Sequence, residues 1–385
     1  MPSTSRVRAG LLFLAAALVL VTLLGGCSRA AGDGEVSKTV TTTGAPAPVV
    51  SPRVTSQSVT DDPDDPAIWV HPTDPARSVV FATNKVAAPA GALVAFGLDG
   101  QIRQTIAGID RPNNVDVEYR VRAGATTIDV AVVTERLRHR LRVFRIDPSD
   151  GHLVEVGTVP VLEGESGEAA EPMGIGLYKR PSDGTLFAIV APKTGGATNY
   201  LWQYRLDLDG TGVRASLVRR FGAFSGIGPE PGEAGEIEAV VVDDALGYIY
   251  YSDERYGIRK WYADPSHPGA AAELAVFGTS GYGGDREGLA LVTRDDGTGY
   301  LVSSDQMVNG TVLRIYPREG LPGAPHDHQR GAFEVRTPAD ETDGVDATSV
   351  ALPGFPDGLV VMMNSTAKNF LFFSWADLTG SRATR

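Results

Sequence analysis

The chain has 385 residues, 42% of them hydrophobic, with Gly 45 and Pro 25, which is enough for one large domain or two ordinary ones rich in turns. A formal net charge of -12 argues against a nucleic-acid surface. It is compatible both with cation binding and with an acidic surface that only maintains solubility.

At the N-terminus, Arg6 and Arg8 precede an apolar run from Leu11 to Leu24, sized for a signal-peptide core and short for a membrane span with flanking anchors. The run closes in Leu24-Gly25-Gly26-Cys27, which resembles a bacterial lipobox, whose cysteine is lipidated and becomes the first mature residue. An ordinary secretory peptide with an incidental cysteine is the competing reading. Cys27 is the single cysteine, so no intrachain disulfide can form. Residues 28–52, rich in Thr, Ala, Gly and Pro, read as a flexible tether. The chain is thus expected to comprise a leader over 1–27, a tether over 28–52 and a folded domain over 53–385. It would be exported, and either lipid-anchored through Cys27 on the outward face of the cell membrane or secreted.

Beyond the tether the sequence repeats weakly. Six segments combine an apolar or aromatic strand with a polar turn: LVAFGLDG, LRVFRIDPSDG, LWQYRLDLDG, IRKWYADP, VLRIYPREG and FLFFSWADL. Their starts lie about 48 to 60 residues apart, the period of propeller blades rather than helical solenoids. Two more strand candidates precede each one, such as PAIWVHP and VVFATN in the first unit and IEAVVVDD and YIYYSD in the fourth. The pattern predicts an all-β, six-bladed β-propeller. Val54 to Thr60 is expected to supply the missing outer strand of the last blade and close the ring.

The stretch from Gly235 to Trp261 predicts where chemistry gathers. If VVVDDALGYIYY is a hairpin turning at Asp243 to Gly247, the start of its first strand lies beside the end of its second. Glu236, Glu238, Asp253 and Glu254 then share one edge, and crowded carboxylates need a cation or a proton. Repeated around the ring, the argument sends Asp64, Asp65, Asn113, Asn114, Asp116, Glu171, Asp285, Glu287, Asp343 and Asp346 to the same end of the channel. Lys85, Glu135, Arg136, Lys193, Ser304, Asp305 and Asn364 join them from the second strands. Hard oxygen ligands suit Ca²⁺, and the shortage of His and Cys argues against zinc or copper. His71 reads as structural, while His326 and His328 lie in a Pro/Gly-rich loop with no evident partner. GxSxG, P-loop and HExxH patterns are absent.

The segments DDPAIWVHP, TNK, NNVDVEY, IEAVVVDDALGYIYYSDE, DREGL and TDGVD, in this order, resemble the signature segments of the β-propeller phytases. The resemblance spans most of Asp61 to Leu378. It implies a six-bladed propeller with several Ca²⁺ ions at one end, acting on calcium-bound inositol hexakisphosphate (phytate). By the same resemblance, Lys85, Arg136, Tyr178 and Lys193 contact the phosphate being cleaved. Glu238, Glu254, Asp285, Glu287 and Asp343 coordinate calcium, with Glu238 belonging to the catalytic set, and Asp65 is similar to a ligand of a tighter structural ion. The chain departs from the family pattern at Val86, at Ala239 and over residues 337–341, positions that bear on a neighbouring phosphate subsite and one calcium.

In this reading clustered Ca²⁺ activates water and the bases offset phosphoryl charge, without a protein nucleophile. The protein would work as a monomer, with no nucleic-acid partner and with membrane contact only through Cys27. Two alternatives remain open: a calcium-dependent propeller hydrolase of another class, such as a lactonase, and a non-catalytic binding propeller of the cell envelope.

Overall fold

The structure, a computed structural model, describes residues 48–231 and 233–380. The leader with Cys27 and the tether up to residue 47 lie outside them. Val49 already bridges to Arg336, and the Val50 amide donates to the Arg336 carbonyl at 2.8 Å, so the chain meets the fold before residue 53.

Strand β1 (Val54–Thr55) is followed by a meander of β2 (Pro63–Trp69), β3 (Val79–Asn84), β4 (Ala92–Gly97) and β5 (Ile102–Ala107). The next two meanders are β6 (Pro112–Ala123), β7 (Thr126–Glu135), β8 (Arg140–Ile146) and β9 (Leu153–Pro160), then β10 (Pro172–Lys179), β11 (Leu186–Pro192), β12 (Thr198–Leu208) and β13 (Val213–Ala223). A single parallel pairing of Leu208 with Ala123 merges them into one 8-stranded sheet. Two 4-stranded sheets follow: β14 (Val240–Asp243), β15 (Tyr248–Asp253), β16 (Gly257–Tyr262) and β17 (Ala275–Phe277), then β18 (Asp285–Thr293), β19 (Gly299–Gln306), β20 (Val312–Pro317) and β21 (Phe333–Arg336). Last come β22 (Val345–Thr348), β23 (Leu359–Asn364) and β24 (Asn369–Ser374), then a short helix α1 (Trp375–Thr379). β1 completes that sheet, Val54 pairing with Phe372 and Thr55 with Leu371, as the sequence predicts for this segment.

The leading strands of these meanders adjoin one another. β2 lies against β6 and β22, β10 against β6 and β14, and β18 against β14 and β22. The arrangement is all-β and propeller-like. Its core is divided among the interfaces between successive sheets. Phe81 and Leu93 pack with Val133 and Phe144; Val132 and Val143 with Val190 and Trp202; Val80 and Phe96 with Val361 and Phe372. The middle strands therefore bury both faces, which is why VVFATN is buried throughout and reads as a continuous apolar run rather than an alternating one.

Candidate active site

The hairpin of β14 and β15 forms as expected, with pairs from Val240 and Tyr251 to Asp243 and Tyr248. Its turn is fixed by the Gly247 amide donating to the Asp243 carbonyl at 2.7 Å, with Gly247 at φ 71°, where a side chain would be strained. Beyond the ladder the Ser252 amide donates to Ala239 O (3.1 Å) and the Glu254 amide to Glu236 O (3.4 Å). This register brings carboxylate oxygens of Glu236, Glu238 and Glu254 within 4.8 Å of one another. Glu254 belongs equally to a second group with Asp285 and Glu287 at the start of β18.

Asp253 does not join them. Its carboxylate accepts from the Ser225 amide (2.7 Å) and hydroxyl (2.6 Å) and from the Arg259 guanidinium (2.9 and 2.8 Å). The same division of labour recurs where other second strands end. Thr83 Oγ1 accepts from Asp65 N and donates to Asn113 O, linking two sheets, while the Asn84 amide oxygen accepts from Asp61 N and Asp62 N. Only the third residue, Lys85, reaches the channel mouth. Thr134 likewise links to Asn114 N and Met173 O, Glu135 ties down Asp110 N, and Arg136 turns to the mouth. In β19 Ser304 links, Asp305 takes Gly283 N, Gly284 N and Arg314, and Gln306 donates to Asp343. Of the residues expected at this edge, Glu135, Asp253, Ser304 and Asp305 are thus structural ties. Asn364 is one too, accepting from Asp340 N. Gln306 went unnoticed in the sequence, although it stands where Lys85 and Arg136 stand.

The basic side chains at the mouth are interleaved with the acids. Lys85 Nζ lies 2.5 Å from Asp64, 3.3 Å from Asp343 and 3.7 Å from Glu238. Arg136 is buried and holds Glu171 through Nε (3.2 Å) and Nη2 (2.8 Å), with Nη1 on Asn113 Oδ1 (3.2 Å). Lys193 pairs with Glu236, Arg255 with Asp285, and Asn113 donates to Glu238.

Burial, then the charges of Glu238, Glu236 and Asp285, holds Glu254 well above the ordinary carboxylate range. Burial and the neighbouring Glu254 and Glu238 do the same to Glu287. Burial raises Asp343 to about 6 against the pull of Lys85. The carboxylates of the two groups outnumber the basic side chains paired with them, Lys193 on Glu236, Arg255 on Asp285 and Lys85 near Glu238. Glu254 Oε1 and Glu287 Oε2 are buried with no hydrogen-bond donor, and the donor set is all carboxylate, so the residues fit a hard divalent cation rather than a soft one.

Asp65 stands apart from both groups. Its Oδ2 accepts from Val115 N (3.0 Å), as Asp116 accepts from Leu177 N (2.7 Å) and Asp346 from Ile68 N (2.6 Å), each acid bridging neighbouring inner strands. The three line a small cavity within the ring, together with Asn114 and Asp343. Burial raises Asp116 to about 8 and Asp346 to about 7.

Tyr178 is not at the mouth. Glu171 marks the mouth end before β10, and Tyr178 follows seven residues later, ~23 Å along an extended strand. Its ring is buried, paired with Phe187 and stacked on it with centroids 5.9 Å apart. The expectation that Tyr178 contacts phosphate is corrected: it is a core residue. His71 is structural as expected, its Nδ1 accepting from Thr73 N and Asp74 N.

A propeller-like ring with clustered carboxylates and interspersed bases at one mouth forms a site whose residues fit a hard divalent cation and an anionic group. The sequence profile of the Phytase family matches residues 8–370, and the chain belongs to that family. It is a phytase, with phytate as its substrate. This sets aside the lactonase-like and non-catalytic readings. A 3-phytase of Bacillus subtilis (strain 168) is 28% identical over 333 residues, covering 83% of this chain and 80% of the relative. Among solved structures, a protein from Lactobacillus plantarum is similar at 15% identity with TM-score 0.47, covering 81% of this chain and 80% of its own. A candidate 6-phosphogluconolactonase from Bacteroides uniformis ATCC 8492 is similar at 13% identity with TM-score 0.47, covering 80% and 85%.

Proposed function

We propose that the chain is a calcium-dependent phytase built on a six-bladed ring, the 8-stranded sheet being two blades joined by the single Leu208–Ala123 pairing. The observation that carries the reading is the meeting of two carboxylate groups through Glu254, at the mouth where Lys85, Arg136 and Lys193 also stand. Glu238, Glu254, Asp285, Glu287 and Asp343, joined by Glu236, would hold Ca²⁺ there, and Asp65 would serve a separate structural ion. Calcium bound in that set supplies Lewis-acid polarisation of the phosphoryl group and a more acidic water.

The chain's own residues do the rest. Lys85, with three carboxylates around it, remains protonated: burial pulls it down, but Asp64, Glu238 and Asp343 hold it well above its ordinary value. It and Lys193 present charge to phosphoryl oxygens. Arg136, its Nε and Nη2 clamped by Glu171 and its Nη1 on Asn113, holds its charge at the mouth in a fixed orientation at no reorganisation cost. An acidic protein can accept a polyanion because bound cations invert the local field.

Phosphate release from inositol hexakisphosphate, measured with calcium and with chelator, tests the reading. Release in calcium alone is expected; equal release under both conditions would rule out the calcium requirement. The same reading holds the protein to be an exported monomer, anchored through a lipid on Cys27 or secreted. Incorporation of labelled fatty acid, lost on Cys27→Ala, separates the two.

A further inference from the structure

Glu254 is shared by both carboxylate groups, yet its side chain is not what fixes it: Oε1 is buried with no hydrogen-bond donor. Its place is set through the main chain. The Glu254 amide donates to Glu236 O at 3.4 Å, long for a hydrogen bond, and the Glu254 carbonyl accepts from the Arg286 amide at 3.2 Å. The shortest bond to this stretch of backbone comes from a side chain, Arg286 Nη1, at 2.8 Å. Arg286 lies in β18 between Asp285 and Glu287, the other two members of the second group.

The rest of that guanidinium is held as firmly. Nε donates at 2.6 Å to the carbonyl of Gly278, the residue after β17, so one side chain grips the preceding sheet at two places. Its Cζ lies 4.1 Å from the centroid of the Tyr282 ring, which also carries Arg314 at 4.5 Å. The loop bearing Tyr282 is tied down in turn: Gly283 N and Gly284 N donate to Asp305, and the Tyr282 hydroxyl meets that of Tyr316 at 3.0 Å. Arg286 is 5% exposed and makes no ion pair among the described residues. A buried cation with only carbonyls and a ring for partners carries a desolvation cost that no countercharge offsets. What it secures is the link between the acids of β18 and Glu254, across the boundary between two sheets.

We infer that Arg286 is a positioning residue for the cation site: by gripping the Glu254 carbonyl from between Asp285 and Glu287, it holds Glu254 where both carboxylate groups can use it. The inference rests on the calcium reading above. Arginine has no acceptor atom, so it supplies no ligand itself. Charge and position then predict opposite signs. A cation beside the site repels Ca²⁺, so a residue acting through charge alone would tighten calcium binding when removed. A residue that holds Glu254 in place loosens it.

The test strips the full chain with chelator and titrates it with calcium chloride in a calorimeter, as wild type, Arg286→Lys and Arg286→Met. Lysine keeps the charge but lacks the planar fork that spans two carbonyls. Half-saturating calcium should rise about tenfold or more in Arg286→Lys, the scale of a hydrogen bond from a charged donor. It should rise in Arg286→Met as well, although the repulsion is gone. In phosphate release from inositol hexakisphosphate, half-activating calcium should shift in the same direction while turnover at saturating calcium approaches that of wild type. Melting in chelator reads any loss of stability separately. Unchanged calcium affinity in Arg286→Lys, tighter binding in Arg286→Met, or a loss of turnover that calcium does not relieve would overturn the inference. If Arg286→Met does not fold, the lysine variant decides alone. A wild type that takes up no calcium would sink the calcium reading and the inference with it, an outcome distinct from wild type and lysine variant binding calcium equally well.

Discussion

The Nζ of Lys260 lies 3.1 Å from Nε2 of His328, and both side chains are fully buried. His328 Nδ1 is 2.7 Å from the Pro317 carbonyl, so the network puts the proton on Nδ1 and leaves Nε2 to accept from Lys260. Lys260 also donates to Pro325 O at 2.9 Å and sits over the Tyr248 ring, closing the loop between β20 and β21 onto β15 and β16. Burial lowers His328 to about 4 and Lys260 to about 8, the latter opposed by Asp243. Since the folded value of His328 is below its ordinary 6.5, the unfolded chain takes the proton first as pH falls. The stability contributed by neutral His328 is complete above about 6.5 and is lost on descending to about 4. Melting temperature followed across that window should fall less steeply in His328→Gln than in wild type. Parallel curves would mean that His328 is not the titrating group.

Arg136→Ala should cut turnover by about 10²-fold, the scale of losing one donor to a developing charge. It should also lower stability by about 1–3 kcal/mol, because Glu171 and Asn113 lose a largely buried partner. Phosphate release per folded molecule and thermal melting read the two effects separately. Full turnover with reduced stability would reassign Arg136 to a structural pair.

Glu238→Gln keeps an oxygen for Asn113 and removes the charge a hard cation favours. Turnover should drop sharply and recover in part as calcium is raised, seen in phosphate release titrated with free calcium. Wild-type turnover at low calcium would reduce Glu238 to a counter-charge for Lys85, 3.7 Å away.

Tyr178→Phe should leave turnover intact and stability within about 0.5 kcal/mol, since the ring packs on Phe187 far from the mouth. Tyr178→Ala should cost about 3–5 kcal/mol by emptying the same space. More than tenfold loss of turnover in the phenylalanine variant would contradict the placement.

The strands buried on both faces were legible because their apolar runs are nearly continuous: β3 and β15 coincide with VVFATN and YIYYSD. The outermost strands were not. β5 and β13 are largely exposed, so their sequences read as polar connections until pairing with β4 and β12 shows otherwise. At the mouth, composition located the acidic end, and the hairpin argument put Glu236, Glu238 and Glu254 together. It could not separate Asp253 from Glu254, because adjacent residues at a strand end differ only in which way the chain turns them. Tyr178 illustrates the complementary error: the family resemblance assigned it to the phosphate, but its distance along β10 from Glu171 places it in the core.

Arg53 and Asp377, joined by an ion pair beside the β1–β24 pairing, are 324 residues apart in sequence. A chain emerging from a ribosome or a translocon in order therefore holds β1 idle until nearly everything else has appeared. The last sheet meanwhile offers β24 as an unpaired border, a template for pairing with another molecule. Such distant pairing also makes closure slow. A molecule clipped between Thr60 and the preceding tether would keep its catalytic mouth and lose its clasp, so ageing of this protein should begin as self-association along that border.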